Sequence, residues 1–188
     1  MNECSFIMKS NQKNHIMETA LQLFAAKGYG NTSIAAIARS AGVAQGLMYN
    51  FFDSKEALLH DIMEQGFSGV QATMQFYTQS LTAKKALELH VEATFAHVSA
   101  NKAFWQLFHA IKMQEQVQQY LHTDYAVARD FILKTLATNF KKLGYAKPND
   151  EAKLFFAMID GLVVNFLMAP KTFSLNNIKK IIFQKYKI

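Results

Sequence analysis

The sequence predicts an all-α protein, and three observations carry that prediction. Half of its 188 residues are hydrophobic (51%), only two are proline, and apolar side chains recur three and four positions apart through most of the chain, the period of a helix. That period marks out about nine or ten helices, divided between an N-terminal three-helix unit holding a helix-turn-helix and a C-terminal helical bundle. The predicted boundaries are residues 1–53 for the first domain and 54–188 for the second, with 54–80 as a linking helix.

Each element has its own reason. Over residues 10–27, Ile16, Met17, Ala20, Leu21, Leu23 and Phe24 fall on one helical face, and Gly28 and Gly30 stop the helix. Thr32 offers a hydroxyl to cap the next helix, Ile34, Ile37 and Ala38 supply its inner face, and Gly42 ends it in a tight turn. A short third helix follows over 44–51. Asp53 and Ser54 offer cap oxygens to the linking helix, which carries Lys55 and Glu56 in its first turn and Ala57, Leu58, Ile62 and Phe67 on its apolar side. Longer patterns then run over 83–100, 102–113, 114–122, 124–143, 150–168 and 174–186. Asn101 reads as a cap opening a helix, Gly144 and Pro148 as an interruption, and Pro170 as a stop.

The stretch AGVAQGLMYNFF, residues 41–52, has the parts of a helix-turn-helix. Two crossing helices need a small residue where they meet (Ala38), a glycine where the backbone turns (Gly42) and apolar anchors beneath the second helix (Val43, Met48, and Phe51 or Phe52). Such a unit leaves one face of its second helix free to enter a DNA major groove. Ala44, Gln45 and Gly46 lie at the N-terminal end of that helix. Gln45 can present a donor and an acceptor to an adenine edge, Gly46 lets backbone approach the duplex, and Leu47 can meet a thymine methyl. Tyr49, Asn50 and Lys55, with Thr32 and Ser33 at a helix start, are the expected phosphate contacts. A helix-turn-helix used only for packing is the competing reading.

On these residues the chain resembles the TetR family of transcriptional regulators. The likeness runs through HIMETALQLFAAKGYGNTSIAAIA, the turn AGVAQGLMYNFF and the following DSKEAL, about residues 15–58. Ala20, Phe24, Gly28, Thr32, Ile37, Ala38, Ala41, Gly42, Val43, Gly46, Tyr49, Phe52, Lys55, Glu56 and Leu58 stand in register with the family's pattern. Gln45 stands where the family often has a basic residue, and Phe51 where it has His or Tyr. The resemblance implies a mostly helical homodimer that binds a near-palindromic operator on double-stranded DNA. It also implies a C-terminal domain that takes a small effector and releases the DNA.

For the effector, the apolar and aromatic set Phe95, Phe104, Trp105, Phe108 and Met113, with His109 and Tyr125 to orient a ligand, is the candidate lining, plain core being the alternative. The resemblance puts a dimer seam on the last long helices, with Phe155, Met158, Ile159, Leu162 and Phe166 as its candidates and Gly161 allowing close approach; an internal core helix is the alternative there. The terminal helix is expected to pack through Ile178, Ile181, Ile182 and Phe183.

The net charge of +6 permits a nucleic-acid partner without requiring one. A single cysteine, Cys4, excludes an internal disulfide and suits a cytoplasmic protein. The most apolar window, residues 154–170, contains Asp160 and Asn165 and is shorter than the ~20 residues that span a bilayer, so no membrane segment is expected. No metal or cofactor is expected either: His90 and His97 share a helix face but stand about 10 Å apart. With no phosphate loop and no nucleophile beside a histidine signature, an enzyme is the weakest reading. An effector-free architectural or activator protein, whose bundle only dimerises or meets another protein, is the alternative to a ligand-released repressor.

Overall fold

The computed structural model describes residues 3–78 and 80–188, and within them the side chains of 3–7 (Cys4 among them), 76, 78, 115, 116 and 118–124 lie outside the described set. The described residues form helices and no strand: α1 (Glu3–Lys27), α2 (Ile34–Ser40), α3 (Gln45–Met48), α4 (Lys55–Thr73), a short 3-10 turn (Gln75–Thr78), α5 (Ala83–Ala100), α6 (Lys102–Ile111), α7 (Glu115–Lys142), α8 (Pro148–Met168) and α9 (Leu175–Tyr186). The residues expected over 114–122 and 124–143 make one helix, α7. No proline or glycine stands between them to interrupt the backbone hydrogen bonds.

Two compact units are present. The first comprises the chain up to Gly66 with Ala103–His122, the second Phe67–Lys102 with Thr123–Ile188. Both α4 and α7 continue without interruption from one unit into the other.

The first unit's core is Ile16, Ala20 and Phe24 of α1, Ile37 and Ala38 of α2, Met48 and Phe52, and Leu58, Leu59, Ile62 and Met63 of α4. Phe104, Leu107, Phe108 and Ile111 of α6 are buried too. A Cβ at Gly66 would overlap the Phe104 ring, so the glycine is what lets α4 and α6 come this close.

In the second unit α5 packs against α8, α9 and the 3-10 turn. Its tightest joint is aromatic. Phe155 of α8 meets Phe140 of α7 at 5.5 Å and Tyr186 of α9 at 4.9 Å, both edge to face, the geometry that ring quadrupoles favour. Burial, with Glu151 and Tyr145 nearby, pushes the Tyr186 phenol up to about 12. In α9, Leu175, Ile182 and Tyr186 are the buried side chains, and Ile181, expected in the packing face, is exposed. Asn101 stands between α5 and α6 and closes α5, its amide donating to the His97 carbonyl at 3.0 Å. No helix among the described residues is long and apolar enough to cross a membrane.

Candidate nucleic-acid interface

The turn between α2 and α3 is built from backbone hydrogen bonds that a glycine at its corner allows. Gly42 takes a left-handed φ of +67°, its N–H donates to the Arg39 carbonyl at 3.3 Å, and the Val43 N–H donates to the Ala38 carbonyl at 3.0 Å. These are the paired bonds of a glycine-closed helix end. His15 of α1 adds a third donor, its Nε2–H reaching the Ala41 carbonyl at 3.2 Å. The end of α2 is thus fixed from inside and from α1, which sets where α3 begins.

Met48 and Phe52 are the anchors beneath α3 and both are buried, while Ala44, Gln45 and Gly46 are exposed and Leu47 is half-buried. The helix is one turn long, with Tyr49, Asn50 and Phe51 continuing in turn geometry rather than helix. Tyr49 is 54% exposed, enough for its phenol to reach outward, and Asn50 is exposed beside it. A Cβ at Gly46 would meet nothing within 4 Å. The open space before it lies on the outer face, where a duplex backbone or base edge can come close.

Two residues expected to touch phosphate are turned inward instead. Thr32 is buried, and its hydroxyl donates to the Gly28 carbonyl at 2.9 Å, so it seals the end of α1. The cap of α2 is Ser33, whose Oγ accepts from the Ala36 N–H at 3.2 Å and which remains exposed. The Lys55 ammonium donates to the Tyr29 carbonyl at 3.0 Å and the Thr32 carbonyl at 3.2 Å, and lies 4.3 Å from the Tyr29 ring centroid. The Tyr29 hydroxyl donates in turn to Glu56 Oε1 at 3.0 Å. A backbone hydrogen bond, offset in part by burial and reinforced by Tyr29, Ser54 and Lys55, holds the Glu56 carboxyl below its ordinary range. Lys55 and Glu56 therefore latch the loop before α2 onto the start of α4, where Ser54 supplies the cap (Ala57 N–H to Oγ, 3.1 Å).

Arg39 is a basic side chain that the motif pattern passed over. It is exposed in the last turn of α2 and is the one Lys or Arg in the sequence between residues 28 and 54. That isolation was the available signal.

The expected effector residues are divided between the two units. Phe104, Trp105, Phe108 and His109 of α6 form a ring cluster inside the first unit, with Phe104 stacked on Phe108 at 6.4 Å and Trp105 edge-on to Phe104 at 5.5 Å. Met113 is 81% exposed. Phe95 and Tyr125 belong to the second unit, Tyr125 beside Phe67 at 6.0 Å. Burial, with Asp160 adding to it and Arg129 opposing, raises the Tyr125 phenol. In the second unit a groove of about 280 Å³ is lined by Val70 and Gln71 of α4, Met74 and Gln75 just after it, and Val127, Ala128, Phe131 and Ile132 of α7.

The expected dimer seam also divides. Phe155, Ile159 and Phe166 are buried within the second unit, and Met158 and Leu162 are half-buried. The outward stripe of α8 carries Leu154 (59% exposed) and Met168 (80% exposed). On α4, the ligand atoms of His60, Asp61 and Glu64 lie within 4.8 Å of one another, a grouping not expected from the sequence, but Asp61 is engaged by Lys13 at 2.7 Å.

A capped helix-turn-helix on a buried three-helix core defines a DNA-binding transcriptional regulator. Residues 16–62 match the family model described as bacterial regulatory proteins, tetR family. The chain is 28% identical over 175 residues to the HTH-type transcriptional regulator AcrR of Shigella flexneri, covering 87% of this chain and 81% of that one. Among solved structures, the regulator FadR from Bacillus subtilis in complex with stearoyl-CoA superposes with a TM-score of 0.76 at 19% identity, covering 90% of this chain and 95% of that one. A transcriptional regulator from Saccharomonospora viridis in complex with choline gives 0.76 at 20% identity, covering 93% and 95%. The N-terminal quarter of the chain thus carries the family's DNA-binding pattern, and the curated relatives it matches are named as transcriptional regulators.

Proposed function

We propose that the protein is a homodimeric repressor that binds a near-palindromic operator and is released from it by a small apolar or amphipathic effector. The observation that carries the DNA half is the outward face of α3: Ala44, Gln45 and Gly46 exposed over a buried Met48 and Phe52. In this reading residues 1–53 meet DNA and 54–188 hold effector and partner. Gln45 reads a base edge, Leu47 adds an apolar contact, and Ser33, Arg39, Tyr49 and Asn50 hold phosphates.

The second copy is supported by the outward stripe of α8, exposed at Leu154, Asn165 and Met168 and half-buried at Met158 and Gly161. Leu154, Met158, Gly161, Asn165 and Met168 follow one another at spacings of four, three, four and three, the repeat of a helix–helix seam. A Cβ at Gly161 would meet nothing within 4 Å, which leaves room for a second helix to approach closely there. Leu162 borders this seam, whereas Phe155, Ile159 and Phe166 act as the core behind it.

For the effector, support comes from the groove between α4 and α7, because its two walls are the helices that run unbroken into the DNA-binding unit. A ligand that parts them has a direct mechanical route to the helix-turn-helix, and release follows if the ligand prefers the parted state. The bound molecules named for the two superposed structures, stearoyl-CoA and choline, make a small-molecule effector plausible in kind.

Selection of bound duplexes from a random DNA pool by the purified protein tests this reading. A two-fold symmetric motif with half-sites about 34 Å apart is expected. A protein that stays monomeric and shifts no duplex at low salt would overturn it.

A further inference from the structure

Two buried polar atoms on α5 meet no hydrogen-bond partner among the described residues: His90 Nδ1 and Thr94 Oγ1. They are one helical turn apart and so share a face of the helix. His90 is only 3% exposed. Leaving such atoms unmet is costly, on the order of 1–3 kcal/mol each, so native cores rarely tolerate it without a ligand or water to answer them.

Thr94 is the more telling of the two. A helical serine or threonine ordinarily returns its hydroxyl to the carbonyl three or four residues earlier. Ser99 does so to Phe95, Thr135 to Phe131 and Thr138 to Lys134, at 2.7–2.9 Å. Asn139, buried in the same unit, satisfies its amide on the Thr135 carbonyl at 2.9 Å. Only the α5 pair departs from this habit among these helical polar side chains.

His90 is joined to the groove by rings in contact. Phe131 lines the groove and packs edge-on against Tyr77 at 6.2 Å, and Tyr77 lies 5.9 Å from His90. Tyr77 sits on the short 3-10 turn that follows α4 and packs against α5. A molecule lying along the groove beside Phe131 therefore needs to displace one ring to bring a polar end to α5.

We propose that His90 and Thr94 are the head-group receptor for an uncharged, chain-like molecule whose apolar body occupies the groove between α4 and α7. This rests on the effector reading above and adds to it the chemistry of the ligand. Its polar end is a hydroxyl or carbonyl, able to bond an imidazole nitrogen and a threonine hydroxyl together. A charged end is disfavoured, because no counter-charge acts on His90: burial is the one cause that holds its imidazole down, to about 4, and keeps it neutral. The groove, at about 280 Å³, sits at the low end for small-molecule sites, which suits a medium-length chain.

The test is calorimetric titration of the full-length protein with decanol below its solubility limit, with decanoate and decyltrimethylammonium below their micelle-forming concentrations, and with hexanol to read chain dependence. Decanol is expected to bind about tenfold more tightly than either charged analogue, the discrimination one satisfied buried hydrogen bond supplies. His90→Leu and the nearly isosteric Thr94→Val should each cut decanol affinity by about five- to tenfold, while both proteins keep the preference for decanol over hexanol. Decanoate or decyltrimethylammonium binding as tightly as decanol, or decanol affinity unmoved by both variants, would overturn the head-group assignment and leave the effector reading standing. No binding of any of the four would overturn both.

Discussion

In the helix-turn-helix region the Lys55 ammonium, the Thr32 hydroxyl and the His15 imidazole each meet a backbone carbonyl, at 2.9–3.2 Å. In the bundle, His90 and Thr94 leave buried polar atoms unmet, and α8 leaves Leu154 and Met168 in solvent. The difference separates a part whose polar groups are met by its own residues from a part that leaves polar and apolar groups unmet by them. A DNA reader gains from being rigid before the duplex arrives, since ordering it on binding would weaken the complex. A sensor needs the opposite, an unfinished site that a ligand or second copy completes.

The largest expected effect breaks the unfinished half. Leu154→Asp with Met168→Asp places charges on the α8 seam; sedimentation should show a monomer, and operator affinity should fall by about 10²- to 10⁴-fold as the two half-sites cease to be linked. A dimer that survives both charges would move the seam elsewhere.

Next comes acid sensitivity, which the bundle should have. His90 is held at about 4 in the folded protein against an ordinary 6.5. Between those values the unfolded chain binds the proton and the folded one does not. The stability is therefore full above about pH 6.5 and declines as the pH falls, by about 2–3 kcal/mol at pH 4. Denaturant melts of wild type and His90→Leu should separate as the pH falls through this window, the wild type losing stability that the variant keeps; parallel curves would remove His90 as the cause.

A smaller effect tests whether the reader is closed from inside. Lys55→Met should lower stability by about 1–2 kcal/mol through the missing carbonyl bonds and weaken every duplex, yet leave the slope of log affinity against log salt unchanged. Arg39→Gln should leave stability alone and reduce the slope by about 0.9 for each phosphate that the guanidinium neutralises. A slope that moves with Lys55 would return that residue to the DNA face. The smallest effect is Gln45→Ala, expected to relax preference at one base position by about tenfold, read by repeating the selection from random duplexes.

Much of the DNA-binding unit was legible because its determinants are local. Gly42 can take a positive φ, Ser33 and Ser54 can cap, and Met48 and Phe52 alternate with exposed neighbours, all within about twenty residues. Even there, the sequence assigned the α2 cap to Thr32 and left the choice at Asp53 and Ser54 open, because adjacent oxygens differ only in where the backbone finally points them. The aromatic run of α6 was harder. Its spacing says that Phe104 and Phe108 share a face, but whether that face meets a ligand or another helix is set by Gly66, thirty-eight positions before Phe104.

The sequence by itself determined the helices, the turn at Gly42 and the likeness to a DNA-binding family, since hydrogen bonds, caps and φ preferences act between residues a few places apart. Only the tertiary structure decided that Lys55 holds carbonyls, that Phe155, Ile159 and Phe166 are core while Leu154 and Met168 face out, and that His90 and Thr94 end up unmet on α5. Amphipathic spacing tells which residues leave water together; what covers them depends on packing between segments far apart in the chain.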